Sequence, residues 1–266
     1  MYAGLTYGNK AGNWIGVHQR IDKVARKHLD ALGVDGFPDI SDILYFEGNN
    51  GPDGIKHKSP SVDEPWHFID SQKIYDRDLL DTIEGHRVNL ARALKKKDKR
   101  RASFEAAWLA HSVTDGLTPA HHYPLADKIE ELWGKPHNQR SSVKDKGMIK
   151  GRSHFDSIRK NWQYWGVNGI FSGHVLYEFG VTTAILGKRY TDIGLRTRDV
   201  KLLEKSGYEV VFERTLWRIQ SLKTYENFVE KGWTSKLSRT TRQQLVPLIM
   251  KAVALAWLSA YNESQK

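Results

Sequence analysis

The chain has 266 residues, a net charge of +10, nine tryptophans and no cysteine. Without thiols it can form neither disulfides nor a thiolate metal site, so a zinc centre here must be built from nitrogen and oxygen ligands. The basic balance suits a phosphate-bearing partner, either nucleic acid or an anionic membrane surface.

The opening MYAGLTYGNKAGNW lacks the basic-then-apolar order and the cleavage site of a secretory signal. The chain as given is expected in the cytoplasm, or outside the cell if a signal has been trimmed from it. From Trp14 to Leu32, Ile15, His18, Ile21, Ala25, Leu29 and Leu32 recur at three- and four-residue steps, the stripe of an amphipathic helix. Residues 33–70 read as a long loop with short helical pieces, because GVDGFP, EGNNGPDG and KSPSVDEP mark repeated turns. A loop of that length in a compact domain is expected to be functional or pinned by something else.

Helices are predicted over about 75–97 and 101–116, joined by the solvated basic turn KKKDKRR, and then over 125–133. A basic insertion, 134–161, follows, with Trp162, Tyr164 and Trp165 at its end. It reads either as a lid or phosphate-binding arm, or as a solvated surface insertion. A helix over 169–187 precedes several C-terminal helices. The last of these, LVPLIMKAVALAWLSAY, is interrupted by Pro247 and Lys251 and falls short of the ~20 residues of a membrane span. It reads as a buried closing helix. With hardly any alternating runs, no repeat and no dividing linker, the expectation is an all-α helical bundle in one domain.

Two histidine–carboxylate pairs stand at i, i+4 spacing on predicted helices: His111 with Asp115, and His174 with Glu178. That spacing puts both side chains on one face, close enough to share a cation. About 1.3 pairs of this kind are expected by chance in such a composition, and three occur, since His18 and Asp22 also qualify. Position on the helix says more than number. Phe104, Trp108, His111 and Asp115 share one stripe, as do Phe171, His174, Glu178, Val181 and Ile185, so both carboxylates point toward the core. A buried carboxylate costs several kcal/mol unless it has a partner, and neither stripe offers a Lys or Arg near its pair. Each histidine could simply hydrogen-bond its own carboxylate. Two inward pairs, with His121 just past the break at Gly116 and Pro119, favour a metal instead.

At this point the residues resemble the zinc-dependent phospholipases C of bacteria, which share a helical fold and site with the S1/P1 single-strand nucleases. The resemblance runs over about residues 14–187. His18 lies in WIGVHQRIDKVA, Asp53 in GNNGPDG and His67 in PWHFID, fourteen residues on. KKKDKRRASFEAAWLAHSVTDGLTPAHH supplies His111, Asp115 and His121, and GHVLYE supplies His174 and Glu178. The resemblance implies two or three zinc ions: one held by His67, His111, Asp53 and Asp115; a second by His121, His174 and Glu178; a third by His18 with Asp115 as a bridging carboxylate. Family enzymes complete the third position with an N-terminal Trp. Here Trp14 stands four residues before His18 but thirteen residues precede it, so that, unless processing frees Trp14, the position must lose a bidentate ligand, use Met1, or stay empty.

The implied function is hydrolysis of a phosphodiester, most simply of a phospholipid headgroup, by attack of a metal-bound hydroxide, with Asp53 able to orient or deprotonate the attacking water. Asp70 reads as an outer hydrogen-bond acceptor or a helix cap; adjacent His122 could substitute for His121, but the six-residue step from Asp115 favours His121. Gly54 replaces the aromatic of choline-specific members, so their headgroup preference does not transfer. A single-strand nuclease and a metal-binding member without turnover are the alternative readings. A phospholipid or membrane surface is the expected partner, single-stranded nucleic acid the alternative. No protein partner is implied and a monomer is expected.

Overall fold

A computed structural model describes residues 1, 5–7, 10–14, 16–58, 60, 67–69, 77–122, 125–136, 139–143, 148–166 and 169–266, and they form an all-α architecture with one short hairpin at its start. Strands β1 (Leu5–Tyr7) and β2 (Lys10–Trp14) pair antiparallel, with Leu5 opposite Trp14. Helix α1 therefore begins later than its apolar stripe suggests, at Val17, and ends at Ala31. Its buried face carries His18, Ile21, Ala25 and Leu29, while Leu32 lies exposed beyond its end.

The glycine-rich stretch that follows holds α2 (Ile40–Tyr45), a 3-10 turn (Gly48–Asn50) and α3 (Pro52–Lys58). Next come α4 (Asp78–Lys95) and α5 (Lys99–Gly116), an antiparallel pair joined by the basic turn, whose residues 95–101 are exposed. The Asp98 side chain caps α5 by accepting from the Arg101 backbone N–H at 3.0 Å.

A 3-10 turn (Pro119–His121) leads to α6 (Leu125–Trp133). The basic insertion is partly helical: its last residues belong to α7 (His154–Trp165), which packs against α8 (Ile170–Ile185). Beyond lie α9 (Thr197–Ser221, kinked at Gly207), α10 (Thr224–Lys231), α11 (Ser235–Thr240), a π turn (Thr241–Leu245) and α12 (Val246–Ser264).

Helix α12 is the centre of the core, packed on α1, α4, α5 and α9. Residues 235–264 form one helical run of 30 residues with mean hydropathy 1.4, longer than its proline and lysine suggest. The π turn just before Pro247 shifts the hydrogen-bond ladder where proline has no N–H to give. By length and composition the run could cross a membrane, yet 67% of its apolar window is buried within the protein. It serves as a core helix. Alanines 102, 106, 107 and 110 on α5 are buried and allow close approach to α12, and Trp257 Nε1–H donates to the Ala106 carbonyl at 2.9 Å. That contact fixes α5 little more than one turn before His111. A smaller cluster of Ile129, Ile149 and Tyr164 seats α7 and α6 against Phe171 of α8.

Candidate metal centre

The far end of α5 meets the side chains of α1, the 47–53 turn, the 119–121 turn and α8. Asp115, 1% exposed, lies at the middle. Its Oδ1 is 3.2 Å from His18 Nε2 and 3.9 Å from His121 Nδ1, and its Oδ2 is 3.2 Å from His111 Nε2. One carboxylate thus faces histidines from three elements. Asp53, at the start of α3, brings Oδ1 to 3.6 Å from His111 Nε2. His121 Nε2 is 3.2 Å from both His174 Nε2 and Glu178 Oε1, and His174 Nε2 is 3.0 Å from Glu178 Oε1. The His67 ring stands edge-on to His121, centroids 5.0 Å apart. The α-amino group of Met1 also enters, 2.5 Å from Asp115 Oδ1 and 3.3 Å from Glu178 Oε1.

Seven of the eight ligand residues expected from the sequence are therefore joined by polar contacts, and His67 reaches the cluster through the ring of His121, whereas the sequence groups it with His111, Asp53 and Asp115. His122 does not substitute for His121: it donates from Nε2 to the Gly116 carbonyl at 3.1 Å. Asp70 and the Trp14 side chain lie outside the described residues. Gly116 does not bend the chain, since it is still within α5. Its small size matters for another reason. A Cβ there would come 2.5 Å from Leu79 Cδ2, so glycine lets α4 press against the end of the ligand-bearing helix.

Comparisons with known proteins add little. No protein-family model matches the chain, and no solved structure does. The chain is similar to Autophagy-related protein 18b of Arabidopsis thaliana, 32% identical over 91 residues. That stretch is 34% of this chain and 25% of that protein, so the chain spans about a quarter of the relative's length. The resemblance concerns a part of each protein and leaves the site's chemistry to be read from its residues.

One site residue escaped the sequence analysis. Glu47 is fully buried, and His111 donates to its Oε1 from Nδ1 at 2.6 Å; His18 Nδ1 is 3.9 Å from the same oxygen. The two imidazoles are stacked, centroids 4.2 Å apart. Their Nδ1 atoms face Glu47 and their Nε2 atoms face Asp115. His18, Glu47 and His111 lie close enough together to hold an ion themselves. The hydrogen bond to Nδ1 argues for a different role, in which a carboxylate behind the ring fixes its tautomer and leaves Nε2 for the cation.

Local structure explains how Glu47 arrives there. Phe46 packs edge-on against Phe104 of α5 at 5.7 Å. A Cβ on Gly51 would lie 2.3 Å from the Phe46 carbonyl oxygen, so only glycine allows the tight turn that aims both Glu47 and Asp53 at α5.

Electrostatics mark the cluster as a place for cations. Burial lowers the pKa of His111, but the carboxylates of Glu47, Asp115 and Asp53 outweigh it and push it up to about 10. Burial, helped by the neighbouring His111, lowers that of His18. Burial pulls His121 down to about 3. Glu178 is held well below the usual carboxylate range: burial acts upward, but the Met1 amine and His174 outweigh it. Asp22, one turn after His18, is raised by burial and by the charge of Glu47. Among the described residues, the buried nitrogens His18 Nε2, His111 Nε2 and His121 Nδ1 make no well-formed hydrogen bond, though Asp115 oxygens lie 3.2–3.9 Å away, a deficit that a bound cation would remove. Among the described residues two groups could hold a metal: His18, Glu47 and His111, and His121, His174 and Glu178.

Proposed function

We propose that the chain is a zinc-dependent phosphodiesterase of the phospholipase C type, with the helical arrangement that family shares with the S1/P1 nucleases. The observation that carries this reading is the convergence of His18, Asp53, His67, His111, Asp115, His121, His174 and Glu178 from six separate segments onto Asp115 and its neighbours. A donor set of imidazoles and carboxylates without thiolate suits zinc. His111, Asp53, His67 and Asp115 would hold one ion, His121, His174 and Glu178 another, and His18 with Asp115 a third.

Zinc bound there would supply Lewis acidity for phosphate oxygens and bring a water's pKa toward ~7. The protein's own groups supply the rest. Asp53, 22% exposed, is the open-side carboxylate of the cluster and would orient the attacking water and take its proton. The water oxygen bonds to phosphorus, the ester bond to the diacylglycerol oxygen breaks, that oxygen takes a proton from solvent as it leaves, and Asp53 returns its proton to solvent. Glu47 and the buried helix ends would hold His18 and His111 in place while this happens.

Metal content of the purified protein, wild type against Asp115→Ala, tests the centre. At least two zinc ions per wild-type chain and fewer in the variant are expected; fewer than two in the wild type would overturn the multinuclear reading. Hydrolysis by the zinc-loaded protein is then compared on phosphatidylcholine, phosphatidylglycerol and single-stranded DNA. Turnover of DNA alone would replace the lipase reading with a nuclease. No turnover by a metal-loaded protein would leave a metal-binding protein without this activity.

A further inference from the structure

Helix α7 presents an apolar face that nothing among the described residues covers. Phe155, Ile158, Trp162 and Trp165 recur at steps of three, four and three residues, so they share one stripe. All four are exposed, Phe155 by 84% and Trp162 by 70%. The helix is nevertheless firmly seated. Its opposite face buries Tyr164 against Phe171, rings stacked at 5.3 Å. Asn161 also ties it to the preceding segment, accepting from the Ile149 N–H at 3.1 Å and donating to the Ile149 carbonyl at 2.8 Å. A rigid helix with large exposed aromatics calls for a partner.

Helix α8 extends the surface. Val175, Leu176 and Phe179 are exposed on the same turns whose His174 and Glu178 point inward to His121. A run of ring contacts links the α7 stripe to the metal centre: Trp165 to Phe171 at 4.7 Å, Phe171 to His174 at 6.1 Å, His174 to His121 at 4.7 Å. The apolar surface thus borders the open half of the site.

Charge identifies the occupant. Residues 148–166 carry Lys150, Arg152, Arg159 and Lys160 against a single acidic residue, Asp156, whose carboxylate is bonded to Arg159 and to the Arg152 backbone N–H. Arg159 falls beside the apolar stripe on the helix, not opposite it, and the exposed Arg152 stands just before the helix's N-cap, Ser153. An apolar face with aromatics and a basic flank is the pattern of a helix that lies in the interface of an anionic bilayer, sunk by about 5–10 Å. A single-strand nucleic-acid platform would stack bases on aromatics along a basic groove; Ile158, Val175 and Leu176 have no place in that scheme, and the stripe lies on an exposed helix face.

We infer that the exposed faces of α7 and α8 dock the protein on an anionic phospholipid surface, with the open half of the metal centre turned toward the lipid headgroups. This deepens the phosphodiesterase reading, and rests on it, by specifying a substrate presented in a bilayer.

The test reads binding and hydrolysis separately. Flotation with vesicles of phosphatidylcholine, with and without phosphatidylglycerol, is measured for the wild type, for Phe155→Ser/Trp162→Ser and for Arg152→Gln/Arg159→Gln. The wild type is expected to float with the phosphatidylglycerol vesicles, and both variants to bind at least about tenfold more weakly. Hydrolysis of a water-soluble phosphodiester is expected to be unchanged in the aromatic variant while hydrolysis of vesicle lipid falls. A wild type that does not float, or an aromatic variant that floats equally well, would overturn the docking surface. So would loss of single-stranded DNA binding, rather than vesicle binding, in the aromatic variant. Flotation that depends on these residues without hydrolysis of either substrate would uphold the surface and remove the phosphodiesterase reading instead.

Discussion

Helices α5 and α8 each carry a histidine and a carboxylate four residues apart, and the same spacing is put to different uses. On α5 the pair is sealed, His111 being 3% and Asp115 1% exposed, with α4, α12 and the 47–53 turn packed round it. On α8 both side chains are 13% exposed, and the next residues round the helix face outward. Identical spacing therefore makes a back wall in one place and an opening in the other. Core packing decides which.

The largest effect is expected at the residue the two halves share. In the metal-free protein Asp115→Ala leaves the His111 cation and the Met1 amine facing a gap, and removing one partner of a buried pair costs about 3–5 kcal/mol. Urea unfolding in the presence of a chelator measures it. His174→Ala is expected to cost far less, because its site opens to water; equal losses would erase the distinction between wall and opening.

A second test lies at the seam between α5 and the 119–121 turn. Burial lowers His122 to about 4, below the ordinary 6.5, so between those values the unfolded chain binds a proton that the folded one does not. Its contribution to stability is intact above pH 6.5 and is lost as the pH falls to about 4, by at most roughly 3 kcal/mol. In metal-free protein, His122→Gln is expected to flatten the stability profile across that window; an unchanged slope would show that other groups set it.

Glu47→Gln keeps the shape of the back wall but weakens its hold on His18 and His111. Losing such a partner typically lowers metal affinity 10–100-fold. Chelator competition should detect that loss for the ions on the α5 side, with the ion of His121, His174 and Glu178 little affected. Loss confined to the α8 side would contradict the assignment.

The smallest effects come from two glycines. Gly116→Ala drives a methyl group toward Leu79 and should cost about 1–3 kcal/mol. Gly173→Ala on α8 meets only the Tyr225 hydroxyl, at 3.8 Å, and should gain up to about 1 kcal/mol from helix propensity. Thermal unfolding of the two variants therefore moves in opposite directions.

Much of this was legible in the sequence because helix faces repeat. Apolar periodicity locates α4, α5, α6 and α8 to within a few residues, and the placement of His111, Asp115, His174 and Glu178 on core-facing stripes signals their inward aim. The hairpin was not legible, since strands of three and five residues leave no usable alternation. Glu47 was invisible for a different reason. It sits in a turn without periodicity, 64 residues from the histidine it supports, and only the packing of Phe46 on α5 brings the two together. Likewise, the α7 stripe was obscured by its basic neighbours: Trp162 and Trp165 stood out, but their alignment with Phe155 and Ile158 needs the helix to be known.

The burial of His18, Glu47 and Asp22 has a kinetic consequence. Each is at most 1% exposed, so an ion seated against them has no route to solvent through the back of the site. It must pass the more open edges of the cluster, at Asp53 or at His174 and Glu178, to enter or leave. Metal exchange should therefore have an order, with a chelator stripping the ions held by Asp53 and by His174 and Glu178 first and an ion seated against His18 only after them, and reloading running in reverse.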